Sequence, residues 1–323
     1  MGSLVSDFKV LQKAGTSERQ EFARRYVSSI AGISPEVDAN IAGLANLVLG
    51  TLPEDYSVRN TGFPTKRAIE LLREKRRLAG YINQIGKQEG VVRNAVEVGT
   101  GPAAILAIAT AVHHPRIEKI TAIEINSRSA DCARAVVELF GFGGVIDVVE
   151  GNALLLDPVE TDLMVTETFD KGLVGEPGVA IVQHYREAAK RLLPDSVNLH
   201  AGLFSTDSYR QLDRAARGRS NWVNLGRVDL TGLGDHVEGA LTVSDSSPSK
   251  NLYTLTTLLQ GQDEVIPFYD DVITGPALIK RNVLSGLGQN DLPASLSFSY
   301  PHSTGAELTR TVSTVDFSPV AVA

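Results

Sequence analysis

Up to about residue 90, apolar positions recur every three or four residues, the spacing of amphipathic helices. SERQEFARRYVSSIAGI is one such run, with Thr16 and Ser17 as candidate N-caps, and SPEVDANIAGLANLVLGTL is a second, entered through Ser-Pro. PTKRAIELLREKRRLAGYINQIG is a third, with Pro64 in its first turn. From 91 to about 200 the texture changes to short apolar runs separated by helical ones. The runs predict strands at Asn94–Val98, Lys119–Ile125, Val145–Glu150, Asp162–Thr166 and Ser196–Ala201. Between them the pattern predicts helices at Pro102–His113, Ser127–Phe140 and Val179–Leu193. Such alternation builds βαβ units and a parallel sheet. From about 202 onward VNLGRVDL, NLYTLTTLLQ, ALIKRNVLS, ASLSFSY and ELTRTVSTVDF alternate, are rich in Thr, Ser and Val, and are divided by turn residues. That predicts an antiparallel β region, sandwich or barrel-like. The expected organisation is a helical region 1–90, an α/β domain 91–201 and a β-rich domain 202–323.

Composition narrows the partners. A hydrophobic share of 43% and a charged share of 21% are those of an ordinary globular chain. A net charge of -7 argues against a nucleic-acid or anionic-membrane footprint, and no run is apolar enough to span a bilayer. The one basic cluster, REKRRLAGY from Arg73, lies in a helical pattern and is expected to form a solvated face. Cys132 is the single cysteine, which excludes an internal disulfide and suits a reducing cytoplasm; a buried structural thiol is expected. The N-terminus carries no basic segment followed by a long apolar run, so a cytoplasmic location is expected.

The candidate chemistry begins at VEVGTGPAA. The strand ends at Val98, and Gly99, Thr100 and Gly101 form a turn whose glycines let the backbone approach a ligand closely. Free N–H groups at the following helix start face the crevice at the strand ends. A dinucleotide would suit such a turn, with Ala104 in the place of the third glycine. Glu97 opposes that reading, because an acid there repels a pyrophosphate and attracts a cation. S-adenosylmethionine, with its sulfonium and ammonium, fits better. Glu124, 25 residues after Gly99 at the end of the next strand, can accept both hydroxyls of a ribose. In EGNALLL, Asn152 and the backbone of Ala153 are candidates to meet an adenine edge; the plain alternative is a turn asparagine.

VEVGTGPA, AIEIN, EGNALLLD and DLMVTETF together resemble the class I S-adenosylmethionine-dependent methyltransferases, over about residues 91–200. The resemblance implies a Rossmann-like α/β sheet with N-terminal helices, followed by a C-terminal antiparallel β domain. The stretch after the fourth strand sharpens it. Glu167 and Glu176 stand nine residues apart around a glycine-containing loop, similar to the paired glutamates of the protein arginine methyltransferases. In that family the pair holds a guanidinium with one nitrogen aimed at the methyl group. The resemblance therefore implies Glu167 and Glu176 as the catalytic acceptor-site residues, and a β domain able to support a homodimer.

The departures shape the expected substrate. The Tyr-Phe-x-x-Tyr helix signature is absent, leaving Phe63 and Tyr81, with Arg76 or Arg77 as partners for the ligand's carboxylate. No Thr-His-Trp occurs; Trp222 sits in SNWVNL. These departures point away from a protein substrate and toward methyl transfer to a nitrogen of a small molecule or amino acid. A second outcome stays open, because the GTGP turn also loosely resembles that of the nicotianamine synthases. Aminocarboxypropyl transfer, or ring closure as in azetidine-2-carboxylate synthases, would release methylthioadenosine instead, with Phe169 facing the sulfonium. His113 and His114 are adjacent rather than on one helix face, so no metal site is expected.

Overall fold

The computed structural model describes residues 8–50, 68, 69, 72, 74–169, 177–205, 223–231, 236–242, 250–261, 263–265, 277–280, 293–299 and 314–319. The chain divides into two compact units, one of residues 1–168 with 184–193, the other of 169–183 with 194–323.

The first unit is built on a five-stranded parallel sheet of order β3-β2-β1-β4-β5. Its strands are β1 (Asn94–Val98), β2 (Lys119–Glu124), β3 (Ile146–Glu150), β4 (Leu163–Thr166) and β5 (Leu192–Leu193). β1 pairs in parallel with β2 on one side and β4 on the other, so the strand order reverses beside it. A reversal of this kind opens a crevice at the carboxyl ends of the strands. β1 is buried from Ala95 to Val98, as expected of a central strand covered on both faces.

Helices α1 (Phe8–Leu11), α2 (Thr16–Ala31), α3 (Val37–Gly50) and α4 (Lys75–Gly86) precede the sheet; α5 (Ile105–His113) and α6 (Ser127–Leu139) lie between its strands. α4 packs against α2 and α5, fixing its first turn near the sheet's carboxyl edge. Phe22 and Tyr26 of α2 close on Phe140, with ring centroids 5.7 and 5.6 Å away. Burying each of these rings is worth about 2–3 kcal/mol. At the other end of the sheet, Asp162 accepts from the Arg93 and Asn94 N–H groups and from Lys190 Nζ, at 2.8, 3.2 and 2.8 Å. One carboxylate thus aligns the entries to β1, β4 and β5.

The second unit holds an antiparallel sheet of β6 (Ser196–Ser205), β7 (Val223–Asp229), β9 (Lys250–Gln260) and β10 (Asp263–Glu264), in the order β10-β9-β6-β7, with β11 (Ala277–Lys280) on β9. A three-stranded sheet runs β13-β12-β8, from His236–Thr242 (β8), Pro293–Ser299 (β12) and Thr314–Pro319 (β13). Asp195 ties the entry of β6 to its neighbours: its carboxylate accepts from the Ser196 hydroxyl at 2.7 Å and the Gly261 N–H at 2.7 Å.

Several sequence expectations change. The run at Ser196–Ala201 is a strand, but it pairs antiparallel with β7 and β9; the fifth parallel strand is the two-residue β5. The helix expected at Val179–Leu193 is α7 (Gly178–Tyr185) and stops eight residues early. Gly15, not Thr16 or Ser17, caps α2: Glu18 reaches back to the Gly15 N–H at 2.9 Å and closes the first turn. Pro64 lies outside the described residues, and the described helix of the third run begins at Lys75.

Candidate active site

The turn after β1 is the centre of the site. Gly99 has φ +83, which L side chains rarely adopt, and a Cβ there would stand 2.8 Å from Thr168 Cγ2 and 3.1 Å from the Glu167 carbonyl oxygen. The turn is therefore pressed against the chain leaving β4. Gly101 has φ +63, and a Cβ there would meet nothing within 4 Å, so its Cα borders open space. The Gly99 and Thr100 N–H groups donate to the Ile123 carbonyl at 3.0 and 3.2 Å, binding the turn to the end of β2. Helix α5 begins at Ile105 rather than Pro102, because Ala104 in the N-cap position has left-handed geometry, φ +47.

Two acids flank the turn and solve the same burial problem differently. Glu97 is 2% exposed. It accepts from the Thr100 hydroxyl at 3.1 Å and from the Ala107 N–H. Burial pushes its carboxyl up to about 8, the nearby Glu124 charge adds to the shift, and the two hydrogen bonds offset only part of it. Burial thus favours the protonated form of Glu97 at neutral pH. Burial also raises the Glu124 carboxyl, but the Asn126, Gly101 and Ile125 N–H groups hold that rise down. Glu124 Oε2 accepts from Gly101 and Oε1 from Asn126, each at 2.8 Å. A carboxylate has about four lone-pair sites, so the three N–H bonds leave capacity for a further donor such as a hydroxyl.

The Gly151 N–H donates to the Glu124 carbonyl at 2.9 Å, bringing the end of β3 alongside. Asn152 caps a short 3-10 turn (Ala153–Leu155), its side-chain oxygen accepting from the Leu154 N–H at 3.0 Å, and Ala153 is buried. Asn152 thus caps the turn through its side-chain oxygen, with Ala153 next to it in the chain.

Glu167 follows β4 directly, its N–H donating to the Val98 carbonyl at 3.1 Å. Its carboxylate is in contact with the Arg77 guanidinium, through Oε1 and Nη2. Arg77 Nη1 lies 3.5 Å from Glu74 Oε2, and that nitrogen is buried without a hydrogen bond. Arg77 and Glu74 are buried, which corrects the expectation of a solvated face for this arginine, whereas Arg76 is exposed and Lys75 half-buried. Paired acids on β4 and the α4 N-cap compensate the charge, so the arginine can face inward. One helical turn later Tyr81 donates to the Thr166 carbonyl at 2.9 Å, pinning the same face of α4 to the end of β4. Glu176, the second expected acceptor-site glutamate, lies outside the described residues.

No family model matches the chain. It is 26% identical over 201 residues to an arginine N(omega)-methyltransferase of Streptomyces achromogenes subsp. streptozoticus, covering 57% of this chain and 55% of that one. The chain thus spans about half the length of that curated relative. Among solved structures, the Trypanosoma brucei PRMT1 enzyme-prozyme heterotetrameric complex with AdoHcy matches with TM-score 0.53 at 15% identity, over 77% of this chain and 96% of that one. PRMT6-SAH matches with TM-score 0.54 at 12% identity, over 76% and 96%. Arabidopsis thaliana protein arginine methyltransferase 10 matches with TM-score 0.51 at 14% identity, over 76% and 97%. The fold is that of the class I methyltransferases, and the chain resembles their arginine methyltransferase branch.

Within this methyltransferase fold, Glu97, Gly99, Thr100, Gly101, Glu124, Asn152 and Ala153 lie at the carboxyl ends of β1, β2 and β3, with Glu167 at the end of β4. Sequence reasoning missed Glu74, Thr168 and Asn126. Asn126 carried a signal, since an asparagine before Ser127-Arg128-Ser129 is a helix N-cap, and it does accept from the Ser129 N–H at 3.1 Å. Glu74 and Thr168 carried none. The histidines lie apart from the site's chemistry: burial lowers His113 and His114, and His114 Nε2 sits 3.1 Å from the Ile85 carbonyl. Among the described residues no group of three or more His, Cys, Asp or Glu is arranged to hold a metal.

Proposed function

We propose that the protein transfers the methyl group of S-adenosylmethionine to a guanidinium nitrogen of arginine or a similarly small guanidino compound. One observation carries this reading: Glu167, whose backbone carbonyl lies against the Gly99 turn, has its carboxylate paired with a guanidinium, that of Arg77. A carboxylate that pairs with one guanidinium has the charge to pair with another. The arginine N(omega)-methyltransferase relative supports the same acceptor class.

The residues present fit the cofactor. Gly101 opens on empty space, Glu97 is a buried acid with only hydroxyl and amide partners, and Arg77 Nη1 is a buried donor without a hydrogen bond. Glu97 would face the ammonium, Glu124 the ribose hydroxyls, Ala153 the adenine edge and Arg77 the carboxylate. The cofactor supplies a methyl on a cationic sulfur, a good leaving group. The chain's task is positioning: Glu167, joined by Glu176 on the family resemblance, holds the acceptor plane so that one nitrogen lies in line with the methyl. That nitrogen bonds to carbon as the carbon–sulfur bond breaks, and it then loses a proton. Cytoplasmic residence, a biosynthetic role and a homodimer belong to the same proposal; the single buried Cys132 suits the first of these.

The test is product analysis with methyl-labelled S-adenosylmethionine and L-arginine. Methylarginine and S-adenosylhomocysteine are expected. Methylthioadenosine as the nucleoside product, or no turnover with any small guanidine, refutes the reading.

A further inference from the structure

We propose that Arg77 is an internal occupant of the acceptor seat, so that the acceptor gains Glu167 only after the carboxylate of the cofactor has drawn Arg77 away. This inference rests on the functional reading above and adds an order of binding to it.

The geometry is local to α4 and the end of β4. Arg77 bridges Glu167 and Glu74, and both of its acidic partners lie on elements fixed by other contacts: the Glu167 N–H is bonded to Val98, and Glu74 is the N-cap residue of α4. Glu167 keeps 23% of its side chain exposed, whereas Arg77 keeps 7%, so the acid is reachable from solvent on the side that Arg77 does not cover. A second guanidinium at Glu167 would lie beside the Arg77 charge, and like-charge repulsion then opposes both holding the same carboxylate. A new anion beside Arg77 changes that balance. Nη1, buried and without a hydrogen bond, is the free donor such an anion would take, and Glu74 stays 3.5 Å away to neutralise the arginine as Glu167 is released. Tyr81 keeps the helix in place, so the exchange needs only a side-chain rotation.

The experiment measures L-arginine affinity by calorimetry on the full chain in three states: alone, saturated with S-adenosylhomocysteine, and saturated with methylthioadenosine. The last has the nucleoside and thioether but no amino-acid carboxylate. Arginine should bind at least tenfold tighter with S-adenosylhomocysteine than without nucleoside, and within twofold of the unliganded value with methylthioadenosine. In Arg77→Met the difference should vanish, with arginine binding tightly to the unliganded protein. Arg77→Lys, which keeps the charge but not the fork, should fall between, and it serves as the readout if the methionine variant does not fold. Equal arginine affinity in all three wild-type states, or a methylthioadenosine effect as large as that of S-adenosylhomocysteine, overturns the proposal alone. No binding of S-adenosylhomocysteine overturns the functional reading and this inference with it, and absence of arginine binding in every state overturns the acceptor seat.

Discussion

Replacing Glu97 by Gln keeps the outline of a neutral carboxyl and removes its ability to ionise. In the folded protein Glu97 titrates near 8, against 4.5 for an unperturbed glutamate. The folded state therefore keeps a proton that the unfolded state has lost between those values, and stability falls as pH rises through that window. The slope is about 1.4 kcal/mol per pH unit while only the unfolded state is ionised, and it flattens above pH 8 as the folded carboxyl ionises too. Between pH 6 and 9 the wild type should lose about 3 kcal/mol from this group alone. Urea denaturation of both proteins at pH 6, 7, 8 and 9 reads the difference, and other titrations cancel between them. The variant should match the wild type most closely at pH 6 and exceed it increasingly above pH 7. Parallel pH profiles would refute the assignment of a protonated Glu97. A second consequence joins this to function: an ammonium group placed beside Glu97 favours the ionised form, so S-adenosylhomocysteine binding at pH 7 should release a proton. Calorimetry in buffers of different ionisation enthalpy detects it, and Glu97→Gln should abolish the release.

The glycines separate stability from binding. Gly99→Ala adds left-handed strain of about 1–2 kcal/mol and a contact with Thr168, whose hydroxyl lies 2.8 Å from that of Thr166, so denaturant midpoints should fall clearly. Gly101→Ala carries the strain without the contact, so it should cost less stability than Gly99→Ala while still weakening S-adenosylhomocysteine at least tenfold; equal stability losses would contradict the geometry. Ile33, a β-branched residue at φ +46 and 41% exposed, should be improved by glycine, by about 0.5–1 kcal/mol in urea titration. Asp162 is held down to about 2, first by Lys190 and then by the Arg93 N–H, so its contribution is present above pH 4 and lost as pH falls toward 2; Asp162→Asn should flatten that acid limb of the stability curve.

Much of the parallel sheet was legible because its strands are short apolar runs cut by glycine and asparagine, and β1 matches its expected limits at Asn94 and Val98. What failed was decided by partners remote in sequence. The strand at Ser196 has the same apolar texture as β1, and only its pairing with Leu259 and Asp229 makes it antiparallel. β5 is two residues long, too short for any period to show. The charge run around Arg77 reads as solvated because helix faces rich in Lys and Arg usually are; its inward turn depends on Glu167, ninety residues away. Glu124 stands out in the sequence as a candidate ligand residue, but its grip on Gly101 and Asn126 does not, since a carboxylate's backbone partners leave no mark in sequence.

On the proposed function, the three acids at neighbouring strand ends would set the selectivity of the site. Ordered across the sheet as β2, β1 and β4, Glu124, Glu97 and Glu167 bring three acids to neighbouring strand ends, the first two buried. Left alone, three neighbouring carboxylates, two of them buried, would repel one another and oppose folding. Each is compensated by a different means: Glu124 by backbone N–H groups, Glu97 by keeping its proton, Glu167 by Arg77. The backbone groups stay when a ligand binds, so Glu124 serves best for neutral hydroxyls, which need an acceptor and bring no charge. The proton and the arginine can leave, so Glu97 and Glu167 serve best for cations, which restore the charge balance they disturb. A neutral or anionic compound of the same shape meets a protonated Glu97 and an occupied Glu167, and gains neither interaction. The proposed selectivity for a cationic nucleoside and a guanidine would then come from how the empty site neutralises its own charge, as much as from the contacts made when it is filled.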